Sequence, residues 1–400
     1  MSEWREVLLG NAPIEILDGD RGKNYPKKHE FLDEGFCLFL NTKNVTSSGF
    51  NFTDLNFITK EKDGILRKGK MERNDVVLTT RGTVGNVAFY NEKIIFDSIR
   101  INSGMVIIRP IQAEIHPVFN FQLFKYLTLD LSEFVSGSAQ PQLPIRDLKQ
   151  IPILLPPLPE QKAIAEVLSS LDDKIDLLHR QNKTLEQMAE TLFRQWFVEE
   201  AGEDWGEGVL DDILTVKGGT TPSTKNADFW NGDIHWTTPK DLSINSPLFL
   251  MDTLRMISNA GLEKISSGLL PKGTLLLSSR APVGYLAIAE IPLAINQGYI
   301  AIIDNNGFSS LFIYLWLKTN MDYVKSHSNG STFQEISKTS FKALEIVIPP
   351  KDLRLKFDEI VNDNFNKIRT NSYQIRTLQS LRDTLLPKLM SGEVRIASNG

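Results

Sequence analysis

The sequence contains a single cysteine, Cys37, among 400 residues. One cysteine excludes a disulfide framework and a cysteine-rich zinc site, and it fits a reducing compartment. The five histidines are scattered, and none forms the H-E-x-x-H pair of a zinc protease. No segment has the roughly 20 apolar residues that cross a bilayer, and the N-terminus does not look like a signal peptide. These absences predict a cytoplasmic protein without a metal site.

Motifs of enzymes are also scarce. The segment 64-GILRKGKM-71 has the glycine and lysine spacing of a phosphate-binding loop, but Met71 replaces the hydroxyl residue that would hold magnesium. No G-x-S-x-G elbow is present, and neither are the glycine-rich loop and N/D-P-P-Y/F tetrapeptide of adenine methyltransferases. We therefore predict that this chain is not an enzyme and binds no cofactor itself.

What the sequence does contain is a long internal repeat. Four pairs of segments match in the same order, at offsets that drift only from 201 to 193. The pairs are 3-EWREVLLG-10 with 204-DWGEGVLD-211, 76-VVLTTRGTVGNVAFY-90 with 275-LLLSSRAPVGYLAIA-289, Asn102-Ser103-Gly104 with Asn296-Gln297-Gly298, and 137-GSAQPQLPIRDLKQIPILLPP-157 with 330-GSTFQEISKTSFKALEIVIPP-350. One unit is thus used twice.

Within each unit the first part reads as α+β. Short β-branched and aromatic runs such as 36-FCLFL-40, 105-MVIIR-109 and 299-YIAII-303 lie between turn residues and predict strands. One helix is predicted before the end of each copy, within 117–130 and within 309–326.

Each unit then ends in a long helix with a heptad pattern. The apolar seam positions are Leu168, Leu171, Ile175, Leu178, Leu185 and Leu192 in the first helix and Ile368, Ile375, Leu378 and Leu385 in the second. Asn182, Asn364 and Asn371 also fall on the seam, where they either fix the register or mark local fraying. Pro159 and Glu160 suit the start of the first helix, Ser391-Gly392 suits the end of the second, and Pro387 should kink or end the second helix early.

The linker after the first helix is short, so the second helix must run back along the first, as an antiparallel coiled coil. About 38 helical residues predict a spacer of roughly 57 Å. The sequence thus predicts head 1 (1–155), a first long helix (156–200), head 2 (201–350), a second long helix (351–392) and a C-terminal tail (393–400).

Binding chemistry is better represented than catalysis. Basic residues cluster within 60–73 and within 21–29, and such loops neutralise phosphates while Arg, Asn and Gln can pair with base edges. Arg81 and Arg280 each follow an apolar strand, although a surface salt bridge is an equally good interpretation of either. The candidate DNA-binding residues are Lys43, Lys68, Lys70, Thr80, Arg81, Ser138, Gln140, Gln142, Lys240, Ser279, Arg280, Ser331, Thr332 and Gln334. For the Ser- and Gln-rich loops, turn geometry alone is the alternative.

Together, 155-LPPLPEQKAIA-165, the heptad helix that follows it, the second copy of the whole unit and 228-DFWNGDIHWTTPKDL-242 resemble the specificity (S) subunit of type I restriction-modification systems. The resemblance covers nearly the full chain. The second copy departs from it at 349-PPKDLR-354, where the P-P-x-x-E-Q pattern is lost.

This resemblance implies a non-catalytic DNA reader. Each head would be a target recognition domain for one half of a bipartite, asymmetric site, and the coiled coil would set the spacer. Two modification subunits that use S-adenosylmethionine would methylate one adenine per half-site, and ATP- and Mg-dependent restriction subunits would join for cleavage. The rival hypothesis is a coiled-coil scaffold with two protein-binding heads and no direct DNA role.

Overall fold

A computed structural model describes residues 4–135, 141–243, 247–330 and 334–396. The α-helices along these residues are α1 (Lys60–Ile65), α2 (Pro117–Leu127), α3 (Ile145–Leu148), α4 (Leu158–Arg194), α5 (Leu210–Ile213), α6 (Pro239–Ser243), α7 (Asn259–Leu262), α8 (Ser310–Thr319), α9 (Met321–Ser326), α10 (Lys338–Lys342) and α11 (Lys351–Met390). A short π-helical segment, Gln195–Glu199, directly follows α4.

The strands before α4 are β1 (Arg5–Leu8), β2 (Ile14–Asp18), β3 (Cys37–Leu40), β4 (Val45–Thr46), β5 (Gly49–Phe50), β6 (Phe57–Ile58), β7 (Val76–Thr79), β8 (Val87–Phe89), β9 (Ile99–Ile101), β10 (Met105–Pro110) and β11 (Pro152–Leu155). Those after α4 are β12 (Gly206–Val209), β13 (Thr215–Gly218), β14 (Trp230–Thr237), β15 (Phe249–Leu250), β16 (Arg255–Ile257), β17 (Leu275–Ser278), β18 (Leu286–Ala289), β19 (Ala294–Ile295), β20 (Tyr299–Asp304) and β21 (Glu345–Ile348).

The chain divides into two compact units. Unit 1 comprises Met1–Asp176 and Thr377–Gly400, and unit 2 comprises Leu177–Arg376. Both boundaries fall inside the long helices α4 and α11, so each unit contains one head together with a segment of each long helix.

The two units share one topology. Unit 1 has a sheet ordered β2-β10-β7-β8, and unit 2 has the matching order β13-β20-β17-β18, with β15 added at its edge. A parallel pair is present in both, β3 with β9 and β14 with β19. The first and last strands of each head also pair, β1 with β11 and β12 with β21. The repeat predicted from sequence is therefore a repeat of the fold, and the predicted α+β class is confirmed.

The predicted elements fall close to their expected places. The three runs chosen as strands are β3, β10 and β20, and the helix predicted within 117–130 is α2. The helix predicted within 309–326 is broken, because Asn320 separates α8 from α9. These strands are buried over most of their length because both faces of each sheet are covered by apolar side chains.

In unit 1 the long helices run antiparallel. Asp172 of α4 accepts a hydrogen bond from Arg382 of α11 at 2.9 Å, and Glu160, twelve residues earlier in α4, accepts one from Arg395 beyond the end of α11 at 2.5 Å. Ile164 and Leu168 share one hydrophobic core with Leu386 and Leu389. Earlier residues of α4 therefore contact later residues at the C-terminal end of α11, which defines an antiparallel pair.

Unit 2 contains the same arrangement. Asn371 of α11 donates to Asn182 of α4 at 2.9 Å, while the ring of Phe357, at the start of α11, lies 5.8 Å from that of Phe193 near the end of α4. The antiparallel coiled coil is thus confirmed in each unit, and each predicted seam residue is buried or half-buried. Both helices are continuous through the asparagines, so the fraying interpretation was wrong for Asn182 and Asn371.

The ends of α11 test two smaller predictions. The helix continues through Pro387 to Met390, so an early end at Pro387 was wrong; a proline in the last turn costs little because few helical hydrogen bonds remain to be lost there. The stop at Ser391-Gly392 is confirmed, since Gly392 has φ +75°, a left-handed conformation that glycine adopts without strain.

A polar joint, buried in unit 1 and half-buried in unit 2, fastens each head to its helix, and it explains the glutamine of the P-P-x-x-E-Q pattern. The side-chain amide of Gln161, 1% exposed, donates to the carbonyls of Glu114 and Pro156 at 3.1 and 2.9 Å. In unit 2 Arg354 donates to the carbonyls of Gly307 and Pro349 at 2.9 and 3.2 Å. The donor and the two carbonyls of the first copy each lie 193 residues before their counterparts in the second. Arginine thus makes the same joint where the glutamine of the motif is lost.

One position facing the core differs in polarity between the copies. Asn120 of α2 is 0% exposed, and among the described residues neither its amide nitrogen nor its amide oxygen has a hydrogen-bond partner. Its counterpart in α8, 193 residues later, is the fully buried Ile313. We expect Asn120→Leu to raise the free energy of unfolding of unit 1 by about 1–3 kcal/mol, because the desolvation penalty of the amide is removed.

Urea denaturation of the full chain measures this effect. The reciprocal change Ile313→Asn serves as the matched control and should destabilise unit 2. A loss of stability in Asn120→Leu would contradict the prediction and would indicate that the amide holds an internal water.

Candidate nucleic-acid interface

Three loops of head 1 meet beyond the end of β7. The backbone amides of Thr80 and Arg81 donate to the carbonyl of Gly104 at 2.8 and 3.2 Å. The carbonyl of Thr80 accepts from Leu143 at 2.9 Å, and Arg81 faces Gln142 in a β-bridge. Main-chain hydrogen bonds thus place Arg81 and Gln142 side by side, and we call this arrangement the Arg81 cluster.

Head 2 repeats the same arrangement with other side chains. The amide of Ser279 donates to the carbonyl of Gly298 at 2.8 Å, and Ile336 donates to the carbonyl of Ser279 at 3.0 Å. Arg280 faces Glu335 in the equivalent β-bridge. We call this the Arg280 cluster.

A lysine-bearing turn completes each cluster. In head 1 the turn contains Lys43, and a Cβ atom on Gly104 would lie only 2.7 Å from the Thr42 side chain. In head 2 it contains Lys240, and a Cβ atom on Gly298 would lie 2.9 Å from Pro239. Glycine recurs at this point of the repeat because the two loops pack too closely for any side chain.

The turns are closed in the same way. The side chain of Asn44 accepts from the amide of Asn41 at 2.9 Å, and that of Asp241 accepts from the amide of Thr238 at 2.8 Å. Both lysines that precede these residues are exposed. Each cluster therefore presents one lysine and one arginine from rigid turns.

The predicted site residues fall into three groups. Exposed or half-exposed in the clusters or beside them are Lys43, Lys68, Arg81, Gln142, Lys240, Arg280 and Gln334. Outside the described residues are Ser138, Gln140, Ser331 and Thr332. The remaining three, Thr80, Ser279 and Lys70, are turned toward other groups of the protein.

Thr80 and Ser279 are 5% and 4% exposed, and Thr80 donates its hydroxyl to the carbonyl of Gly104. Lys70 is held by Asp63 at 2.8 Å and by the Ser98 hydroxyl. The first two side chains lie inside the head, and the third shares the carboxylate of Asp63 with Arg100. A DNA contact by any of the three stays a prediction.

Ion pairs also reduce the number of unpaired cations in the basic segment 60–73. Lys62 pairs with Glu30 at 2.8 Å and Arg73 with Asp97 at 2.8 Å. Burial opposes ionisation of Asp63, but hydrogen bonds from Lys70 and Arg100 prevail and lower the pKa of its carboxyl. A charge run in sequence therefore overstated the charge available for a ligand.

Two arginines outside the candidate set lie beside the Arg81 cluster. Arg21 is exposed and donates to the carbonyl of Ser103 at 3.4 Å. The exposed Arg67 donates its amide to Asp20 at 2.8 Å, in the same turn as Arg21. The basic segment 21–29 indicated in the sequence that Arg21 could bind a ligand. Only the fold shows that Arg21 lies beside Ser103, in the loop that follows Asn102.

Evidence for catalysis is slight in the part of the chain that the structure describes. No group of three or more His, Cys, Asp or Glu side chains is placed to hold a metal ion there. Burial raises the pKa of the Cys37 thiol to about 11, so it is not a nucleophile at neutral pH. Among these same residues, no helix has the length and apolar character to cross a membrane.

The sequence profile of the type I restriction modification DNA specificity domain matches residues 1–187 and again 202–373. The chain belongs to this family. Its members are specificity subunits, and the two matched segments coincide with the two copies of the repeat. Each cluster, with its arginine, lysine and glycine, is therefore part of one specificity domain.

Individual relatives agree with this membership. The MjaIX specificity subunit of Methanocaldococcus jannaschii is 37% identical over 194 residues, which span 48% of this chain and 45% of that relative. The HindI specificity subunit of Haemophilus influenzae is 24% identical over an alignment that spans 98% of this chain and 100% of the relative. The S subunit of a type I restriction-modification system from M. genitalium has a similar fold, with a TM-score of 0.57 at 18% identity, over 97% of this chain and 96% of that one.

Proposed function

We propose that this specificity subunit reads a bipartite, asymmetric DNA site, with one half contacted by each head. The observation that carries the proposal is that one loop arrangement occurs twice, with lysine, arginine and glycine kept but with Gln142 opposite the arginine in one copy and Glu335 in the other. The shared backbone arrangement would position both heads on a duplex in the same way. A different side chain opposite the arginine would select a different base sequence.

The electrostatics of the clusters support DNA as the ligand. Lys43 and Arg81 in head 1 and Lys240 and Arg280 in head 2 lie on rigid turns. Lysine and arginine neutralise phosphates, and arginine also pairs with guanine in the major groove. The coiled coil, whose asparagine pair in unit 2 suits a fixed register, would set the spacer between half-sites.

The chemistry of the complex would reside in other subunits. Two modification subunits would use S-adenosylmethionine to methylate one adenine in each half-site, and restriction subunits would use ATP and Mg. This chain would bind none of these cofactors and would act, in the cytoplasm, as the non-catalytic reader.

Long-read sequencing of host DNA for N6-methyladenine tests this function. We expect a two-part motif that disappears when the gene is deleted and returns on complementation. If methylation were unchanged by the deletion, the proposal would be wrong. Binding of the full chain and its methyltransferase partner to duplexes then separates a reader from a scaffold with protein-binding heads, because phosphate contacts make affinity fall steeply with salt.

A further inference from the structure

Glu335 places a carboxylate inside an otherwise basic cluster of head 2. Its Oε1 lies 3.8 Å from the guanidinium nitrogen of Arg280, and the two side chains are 52% and 37% exposed. This separation is an ion pair but is too long for a hydrogen bond. Within the described part of the chain, both side chains therefore keep donors and acceptors available for a ligand.

Main-chain hydrogen bonds hold the backbone at Glu335 and Ile336. Asn329 and Glu335 exchange two main-chain hydrogen bonds, of 2.9 and 3.0 Å, and the next residue, Ile336, donates to Ser279. These hydrogen bonds place the Cα atom of Glu335, and hence its carboxylate, beside Arg280. Preorganisation of this kind lowers the entropy cost of a specific contact.

A carboxylate near phosphates is electrostatically unfavourable unless it gains a partner on the DNA. The partner that suits it is an amino group on a base edge, and the pairing seen for Glu and Asp in the major groove is with N4 of cytosine. Arginine in turn pairs with O6 and N7 of guanine. Adjacent arginine and glutamate therefore suit guanine and cytosine.

Head 1 has a different residue at this place. Gln142 faces Arg81 in the same bridge, and it is exposed. A neutral amide both donates and accepts, which suits N6 and N7 of adenine. The framework is constant, and the chemistry at the position opposite the arginine changes from amide to carboxylate.

We propose that Glu335 is a specificity-determining residue of head 2, which accepts a hydrogen bond from the N4 amino group of a cytosine while Arg280 beside it contacts guanine. The inference rests on the proposed function, since it names the base chemistry that one head reads. Glu335 lies outside the residues that the sequence pattern singled out.

The test replaces Glu335 by glutamine at the native locus and maps methylation of host DNA. A half-exposed ion pair contributes little to stability, so the variant should fold. At one position of one half-site we expect discrimination against other bases to fall by about tenfold to a hundredfold, with the other half-site unchanged. Gln142→Glu in head 1 should change the other half-site instead.

Glu345→Gln is the matched control, because Glu345 is an exposed glutamate of head 2 on β21, outside the Arg280 cluster. The motif should be unaltered in this variant. An unchanged motif in Glu335→Gln, or a uniform change at all sites, would overturn the inference and leave Glu335 a plain surface ion pair. Absence of any two-part motif in the wild-type strain would instead overturn the proposed function.

Discussion

Replacing Phe357 by alanine is expected to lower the free energy of unfolding of unit 2 by about 3–5 kcal/mol. Phe357 is 0% exposed, and its ring lies 5.0 Å from that of Phe197 and 6.0 Å from that of Trp196. These aromatic rings join α11 to the π-helical segment that follows α4, so the truncation leaves a cavity where this part of the helix pair meets the core of head 2.

Leu355→Ala is the control on the same helix, because Leu355 is 54% exposed and should change stability by no more than about 0.5 kcal/mol. Urea unfolding followed by tryptophan fluorescence measures both, because Trp196 packs against Phe357 and Trp205 packs against the neighbouring Phe197. Because the chain has two units, the transition should be fitted with more than two states. Equal effects of the two substitutions would contradict the packing described for Phe357.

Replacing Gly19 by alanine is expected to disable head 1. A Cβ atom there would overlap the carbonyl oxygen of Asn102 and lie 2.6 Å from its carbonyl carbon. The backbone of the 102–104 loop must therefore move, at a cost of about 3 kcal/mol. The same loop holds the amides of Thr80 and Arg81, so we expect DNA affinity to fall at least about tenfold, since a misplaced arginine loses its base contact.

Gly64→Ala in the same head is the matched control. A Cβ atom at Gly64 meets nothing within 4 Å, and alanine is favoured over glycine in a helix such as α1. Thermal unfolding and methylation mapping should show a loss confined to one half-site for Gly19→Ala and none for Gly64→Ala. Wild-type stability in Gly19→Ala would show that the loop tolerates displacement, contrary to this account.

Much of the architecture could be predicted from the sequence because it depends on periodicity. Heptad spacing identified α4 and α11, and a linker of a few residues after α4 required α11 to run back along it. Glycines that recur at equivalent positions of the repeat also indicated where the backbone needs a special conformation or a close approach. Gly85 and Gly284 both have positive φ, of +97° and +114°, and Gly104 and Gly298 both allow a close approach of two loops.

The site was less predictable because burial and pairing depend on distant residues. The sequence predicts Lys70 as a phosphate ligand, and only the fold shows that Asp63 lies beside it. At Arg354 the sequence motif is lost, yet this arginine binds the carbonyls of the second copy that are equivalent to those bound by Gln161 in the first. Glu335 is the counterpart of the predicted residue Gln142 in the repeat, but its position opposite Arg280 is visible only in the fold.

The sequence by itself determined a duplicated α+β unit joined by antiparallel helices, since repeats, heptads and linker length are properties of order along the chain. Tertiary structure decided which polar side chains remain available to a ligand. Hydrogen bonds and ion pairs join residues such as Arg100 and Asp63, or Arg280 and Glu335, that are far apart in sequence. Their energies depend on distance and burial, which only the folded chain defines.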